Sequence, residues 1–412
     1  MFLRREITPP ALSSLLHSIH PMNRAAMKNG VMDSTMGSIG MNLTPTPYAG
    51  RLRWLQSLLS DHKLDLLLIT HLPNIHYLCG FTGSSAALIV SDRGSILFTD
   101  GRYRTQATEE IKAANLKDVK IEIAPKSPLL AAAEWLAAKR RRSAPARVGI
   151  EPESITAGMR DRLASALKGK GRLCLAPPLV ERARMVKDAT EILRIRRAVE
   201  LGASLFKIAC QKIRPGVREV EVVAAMEYAA RCGGAEGMSF PTILAAGTRS
   251  AIVHGRASQS RIPGRGFVVC DFGVILAGYC SDRTRTVHVG RPSTEAQQLY
   301  QAVLEAQLAA ISTVHPGVTC AEVDSAARRV LRQRKLARYF THSTGHGLGL
   351  EIHEAPRLAQ GQFQKLQPGM VITIEPGVYV PGKWGVRIED VVVVTASGCE
   401  VLVPTDKELI VI

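Results

Sequence analysis

From Tyr48 onward the apolar positions fall into regular periods. RLRWLQSLLSDHK spaces its leucines at helical intervals, and LDLLLIT is the short continuous apolar run of a strand buried on both faces. ALIV and SILF flank Asp92-Arg93-Gly94, which predicts a β-hairpin. Helical and strand-like segments then alternate (EEIKAANL, VKIEIA, LLAAAEWLAAKRRR, RVGIEP, MRDRLASAL), predicting an α/β domain over residues 47–176. Pro177 and Pro178 read as a linker, and a long amphipathic helix from about Asp188 opens a second domain over 181–412. Residues 1–46 lack sustained periodicity and are expected to be a disordered or mis-started tail, with Met36 and Met41 just before the first convincing helix. Arg4, Arg5 and LSSLL fall short of a signal peptide, because the apolar core is weak and no A-x-A-like site follows.

The second domain repeats itself at an offset of roughly 100 residues. Pro215-Gly216-Val217 returns as Pro316-Gly317-Val318, and Glu221-Val222 returns as Glu322-Val323. AIVHG at His254 corresponds to LEIHE at His353, and FVVCDFGV at Asp271 corresponds to MVITIEPGV at Glu375. TRTVHV after Asp282 corresponds to VVVV after Glu389. Each half therefore predicts helix, PGV turn, helix, histidine-bearing strand and carboxylate hairpin. Two halves related by a pseudo-twofold axis would bring their carboxylates face to face.

Composition narrows the function classes. The 412 residues are 46% hydrophobic and 22% charged, an ordinary globular balance. The net charge of +17 suggests nucleic acid, but the Lys and Arg residues are dispersed. The one dense run, Lys139 to Arg142, sits at a helix end before Pro145, where cations suit the helix dipole and solvent, so no nucleic-acid partner is expected. No apolar run approaches the ~18 residues of a membrane span, so no membrane partner is expected either. Eight scattered cysteines without a CxxC pair suit a reducing, cytoplasmic setting.

Strand alternation places Val269, Asp271 and Gly273 on one face, and Asp282, Thr284 and Thr286 on another. The second hairpin does the same with Thr373 and Glu375, and with Arg387 and Glu389. Four acids turned into one interior would repel strongly, and divalent cations are the usual remedy. Oxygen ligands with one imidazole, His346, suit manganese, cobalt, iron or zinc. Asp271 alone would be an ordinary strand residue. Its DFG also occurs in protein kinases, but no GxGxxG or HRD pattern accompanies it.

VVCDFG, SDRTRT, THSTGHGLGLEIHEAP, TIEPG and VRIED together resemble the pita-bread metallopeptidases, in particular Xaa-Pro aminopeptidases and Xaa-Pro dipeptidases (prolidases). GFTGSSAAL and LFTDGRY look like the creatinase/prolidase N-terminal domain. The resemblance implies an α/β N-terminal domain followed by an α+β pita-bread catalytic domain with the internal pseudo-twofold repeat. It implies two divalent metal ions, manganese foremost, with cobalt, zinc or iron as alternatives. Asp271, Asp282 and Glu389 would hold one, and Asp282, His346, Glu375 and Glu389 the other. Glu375 would serve as general acid–base, His254 and His353 would flank the substrate carbonyl, and His342 and Arg387 would shape the site around proline and order Glu389. The expected substrates are peptides with proline in the second position, cut by an Xaa-Pro aminopeptidase; the dipeptidase is the alternative. Further alternatives are methionine aminopeptidase-like activity, disfavoured by the N-terminal domain, and a non-catalytic protein-binding module, disfavoured by the complete ligand set. A homodimer or homotetramer is expected.

Overall fold

The structure, a computed structural model, describes residues 48–139 and 145–412. The expectations for residues 1–46 and for the basic run beyond Lys139 lie outside the described residues.

The N-terminal domain is built from α1 (Tyr48–Leu58), β1 (Leu66–Ile69), α2 (Leu72–Cys79), β2 (Ala86–Ser91), β3 (Gly94–Asp100) and α3 (Arg104–Ala113). It continues through β4 (Val119–Ala124), α4 (Pro128–Lys139), β5 (Ala146–Ile150), α5 (Ala157–Ala166) and β6 (Gly171–Leu175). The strands form one mixed sheet in the order β4-β3-β2-β1-β5-β6. β1 explains the unbroken apolar run: Leu67 and Ile69 pack on the face covered by α1 and α2, while Leu66 and Leu68 pack on the face covered by α4 and α5. The Asp92-Arg93-Gly94 hairpin is present, with Ser91 opposite Gly94. The paired prolines do not leave an extended linker. Pro178 instead stands at the N-cap of a short helix, α6 (Leu179–Met185), formed by the residues after it.

The second domain opens with α7 (Ala189–Lys212), started by a capping box in which Asp188 and Glu191 satisfy each other's backbone N–H. Next come α8 (Glu219–Cys232), β7 (Gly237–Met238), β8 (Ile243–Ala246) and β9 (Gly266–Phe272). The hairpin β10 (Val274–Leu276) and β11 (Tyr279–Cys280) then leads to β12 (Arg283–Val289). The second half runs α9 (Thr294–Thr313), α10 (Cys320–Gln333), β13 (Gly345–Gly347), β14 (Glu354–Leu358) and β15 (Val371–Ile374). It ends with the hairpin β16 (Gly377–Val380) and β17 (Trp384–Arg387), then β18 (Asp390–Val394) and β19 (Cys399–Val401). β8-β9-β12 form one antiparallel sheet, and β14-β13-β15-β18-β19 form another.

The repeat holds down to single hydrogen bonds. Gly216 N–H donates to Ile262 O at 2.9 Å, and Gly317 N–H donates to Leu366 O at 2.9 Å. Both glycines have positive φ, 85° and 89°, which the tight PGV turn requires and a side chain would resist. The predicted histidine-bearing strands are not strands. His254 lies in a turn after a short 3-10 helix (Gly247–Ala251), and His353 lies in a bend just before β14. In both places the chain must leave the sheet to turn the imidazole towards the interior between the halves.

The halves are joined at β12, where Glu389 N–H donates to Thr284 O at 3.1 Å and Thr286 Oγ1 donates to Arg387 O at 2.8 Å. Beside this seam the fully buried Asp390 accepts from Arg285 Nη2 at 2.7 Å and from Lys407 Nζ at 2.5 Å. Burial raises the Asp390 pKa, and the Arg285 and Lys407 charges overcome it, so the group lies below its ordinary value. A carboxylate depressed in this way stabilises the fold above its unfolded pKa of ~3.9, and that contribution fades as pH falls through the lower folded value. Asp390→Asn is therefore expected to cost on the order of 3 kcal/mol at neutral pH. In thermal unfolding followed stepwise into acid, the deficit relative to wild type should shrink below pH ~4. A deficit constant with pH would contradict this.

Candidate active site

Five side chains converge from the two carboxylate hairpins and β13. Asp271 stands near the end of β9 opposite Thr284, and Asp282 immediately precedes β12. Glu375 follows β15, its N–H donating to Thr344 O at 2.8 Å, and Glu389 sits between β17 and β18. The acids thus occupy strand ends rather than strand interiors, except for Asp271. His346 is central in β13, where the pairing with β14 shifts register. Gly345 permits the close approach of that strand: a Cβ there would lie 1.9 Å from Thr373 O. His346 N–H donates to Thr373 Oγ1 at 3.1 Å, and Thr373 Oγ1 in turn donates to Glu375 Oε1 at 3.3 Å.

The ring of His346 defines what the cluster can hold. Its Nδ1 lies 3.0 Å from Gly347 O, which accepts a proton and cannot give one, so the proton resides on Nδ1. Burial pushes the His346 pKa down to about 4, so the ring is neutral at pH 7 and Nε2 carries a lone pair. That lone pair faces Glu375 Oε1 at 3.4 Å and Asp282 Oδ2 at 3.6 Å, electron-rich atoms on both sides. One donor atom from each of Asp282, His346 and Glu389 falls within 4.8 Å of the others.

The acids are similarly short of protein partners. Asp271 Oδ1, Asp282 Oδ1 and Glu389 Oε1 are buried and meet no donor among the described residues. Burial first, and mutual repulsion second, push Asp282 and Glu389 well above the ordinary carboxylate range. Burial pushes Glu375 up to about 8, against the lowering effect of Arg387. Orphaned anionic oxygens around an imidazole lone pair form a donor set for a divalent cation, and the residues present fit one.

Arg387 is the organising cation on the protein side. Buried and charged, it donates to Asp271 Oδ2, to Tyr379 OH and, through Nε, to Thr284 Oγ1 at 3.2 Å. Thr284 Oγ1 donates to Glu389 Oε2 at 2.7 Å. Arg387 thus orders Asp271 directly and reaches Glu389 only through Thr284. His342 has its Nδ1 2.9 Å from Ser343 O and its Nε2 3.0 Å from Tyr379 OH. Burial first, and the Arg387 charge second, lower its pKa to about 3, so the neutral ring donates from Nδ1 and accepts the tyrosine proton at Nε2.

A cavity of 580 Å³ opens over the cluster, with His254, His342 and His353 in its lining. The His353 ring stands edge-on to His346 with centroids 4.4 Å apart. All nine residues singled out in the sequence therefore border one cavity. Sequence reasoning missed Tyr379, whose signal was only its place opposite Gly385 in the second hairpin, and the two arginines of the rim, Arg256 and Arg357. It also missed the apolar wall of Phe240, Pro241, Ile243 and Val253, which carries no motif of its own.

Comparison with known proteins agrees with this arrangement. Residues 194–396 match the model of metallopeptidase family M24, and residues 51–186 match the creatinase/prolidase N-terminal domain. The chain is 34% identical to the Xaa-Pro dipeptidase of Pyrococcus horikoshii over 85% of its own length and 96% of that protein. The structure of an Xaa-Pro dipeptidase from Bacillus anthracis superposes with a TM-score of 0.83 at 35% identity, covering 89% of this chain and 100% of that one. That of an X-Pro aminopeptidase from Thermotoga maritima gives 0.79 at 34% identity, covering 88% and 99%. Metal use, a paired-domain architecture and a peptide-hydrolysing site thus meet in one polypeptide: it belongs to metallopeptidase family M24, carries a creatinase/prolidase N-terminal domain, and is a peptide-bond hydrolase.

Proposed function

We propose that this hydrolase removes the N-terminal residue from peptides whose second residue is proline, using two divalent cations. The observation that carries the proposal is the His346 lone pair turned towards buried carboxylates that lack enough protein donors. Asp271, Asp282 and Glu389 would hold one cation, and Asp282, His346, Glu375 and Glu389 the other, with manganese the first candidate and cobalt, zinc or iron as alternatives. When bound, such ions supply Lewis acidity that lowers the pKa of water and polarises a carbonyl.

The side chains then divide the remaining work. Glu375 would begin as the carboxylate, take the proton of the attacking water and, as the acid form that its burial favours, pass it to the leaving nitrogen. His254 and His353, on the cavity wall, hydrogen-bond the oxygen on which charge develops. A proline nitrogen has no N–H for a protease to grip in an extended strand, so recognition must rest on ring shape. The apolar wall of Phe240, Pro241, Ile243 and Val253, with His342 opposite, suits that ring. The eight cysteines, all unpaired, support placement in the cytoplasm, and we propose a homodimer or homotetramer by likeness to the family.

One observation favours a second reading, an Xaa-Pro dipeptidase. Arg256 and Arg357 are exposed at the rim, and a cation there would neutralise the free carboxylate of a dipeptide.

Ala-Pro-Ala and Ala-Pro, offered to protein reconstituted with each metal in turn, separate the two readings. Turnover of neither would end the proposal, as would equal cleavage of N-acetylated peptides at internal Xaa-Pro bonds. Asp282→Asn should abolish turnover and lower metal content measured by elemental analysis; two tightly held ions in that variant would remove its ligand role. His353→Ala should retain the metal but turn over ~10²- to 10³-fold more slowly. Arg357→Met should weaken kcat/KM for Ala-Pro by about tenfold relative to Ala-Pro-Ala if the dipeptide carboxylate binds there. An unchanged ratio would favour the aminopeptidase.

A further inference from the structure

The bend that carries His353 is held from outside the catalytic sheets. Residues 348–353 join β13 to β14, and the bend is braced by Glu351 N–H donating to Oε1 of Glu354, the first residue of β14, at 3.1 Å. Glu354 is almost fully buried and accepts from Arg184 Nη2 at 2.5 Å and Lys187 Nζ at 3.0 Å. The same Arg184 Nη2 donates to Glu351 Oε2 at 2.7 Å. Its other terminal nitrogen, Nη1, donates to Asn74 Oδ1 at 2.7 Å.

Asn74 belongs to α2 of the N-terminal domain and is itself fixed. Its amide donates to Glu151 Oε1 and to Glu181 Oε1, both at 2.7 Å. Glu151 accepts the N–H groups of Thr70 and of His71, the N-cap residue of α2, at 2.7 and 2.9 Å. His71 Nε2 reaches back to Glu351 Oε1 at 3.1 Å. One buried guanidinium on α6 thus ties a rigid helix start in the first domain to two carboxylates flanking His353. None of these charges is hydrogen-bonded to Asp271, Asp282, His346, Glu375 or Glu389 among the described residues, although Glu354 borders the same cavity, and burying them costs several kcal/mol of desolvation. Their common product is the placement of one bend.

We propose that Arg184 is a positioning residue for the reaction: by bridging Asn74 to Glu351 and Glu354 it fixes the bend on which His353 stands, so the N-terminal domain sets the geometry of the active site. This rests on the role assigned above to His353. The fork shape matters, because only a guanidinium offers two directed nitrogens to Asn74 on one side and two carboxylates on the other. A lysine at this position would meet one side alone.

The test compares Arg184→Met, Arg184→Lys and His353→Ala, singly and combined, in the full chain. Displacement of a group contacting substrate by ~1 Å costs up to about 10²-fold, so Arg184→Met should lower kcat by about 10- to 100-fold with metal content unchanged and KM shifted less than about threefold. Arg184→Lys should fail to rescue. On the His353→Ala background the same substitution should cost less than about twofold, since the group it positions is already gone. An equal loss on both backgrounds would overturn the proposal, as would full kcat in Arg184→Met. Should Arg184→Met fail to fold, Glu351→Gln, half-exposed, weakens the same bridge; its smaller loss of kcat must likewise vanish on the His353→Ala background, and an additive loss overturns the proposal. The ring resonances of His353, assigned by their absence in His353→Ala, give a readout without turnover. They should move in the folded variants, and unchanged resonances overturn the proposal even if the wild type cleaves no Xaa-Pro peptide, a result that would separately end the proposed function.

Discussion

Electrostatic repulsion among buried acids is the constraint around which the molecule is arranged. Asp271, Asp282, Glu375 and Glu389 share a small interior space with the buried guanidinium of Arg387 and a neutral imidazole whose lone pair adds to the negative potential. A protein gains no stability from such a cluster by itself, since each charge has left water and found too few partners. The cost is tolerable because the surrounding frame is stiff. β12 is hydrogen-bonded to the Glu389 segment, Thr284 links Arg387 to Glu389, and Asp390 is locked by Arg285 and Lys407 directly behind the site. Rigid walls keep the acids from relaxing apart, and that leaves protonation or bound cations as the means of lowering the energy.

Duplication supplies the walls from one plan. Each half repeats the same turn, the same glycine in positive φ and the same hydrogen bond to the loop before its next strand, β9 or β15, so one solution to packing two helices on a strand pair serves twice. The halves then specialise. The first contributes the two aspartates; the second contributes the two glutamates, His346 and the loop of His353. The N-terminal domain is physically continuous with this centre. Leu350 packs among that domain's core residues, and Arg184 connects its second helix to the bend that carries His353.

Much of this is legible in the chain. Matched offsets pick out six of the nine cavity-lining residues expected from the sequence, and the family motifs supply His342, His346 and Arg387, because the joint spacing is specific where each residue alone is not. The period of the apolar residues locates β1 and α7, because burial on two faces and on one face leave different patterns. The features without a local pattern escape. Tyr379 matters only because β16 and β17 fold it over Arg387, and the apolar wall assembles from residues 240–253 that look like ordinary core. The histidines of the two turns read as strand residues, since alternation continues in sequence past the point where the backbone leaves the sheet. Pro178 reads as a break yet begins a helix, a difference decided by Leu179 and the helix-forming residues after it rather than by the proline. Arg184 is invisible in sequence because its partners, Asn74 and the Glu351/Glu354 pair, lie more than a hundred residues away on either side.

The distribution of the acids also bears on how this protein is made. Glu389 comes more than a hundred residues after Asp282, and the segment that seals the first sheet is later still, with Ile412 N–H donating to His288 O at 2.9 Å. During synthesis a ribosome-bound chain exposes both aspartates long before either glutamate exists to join them. A partly translated polypeptide therefore has no complete pocket in which to capture ions, and proteolytic competence arrives only once the residues beyond Glu389 have emerged.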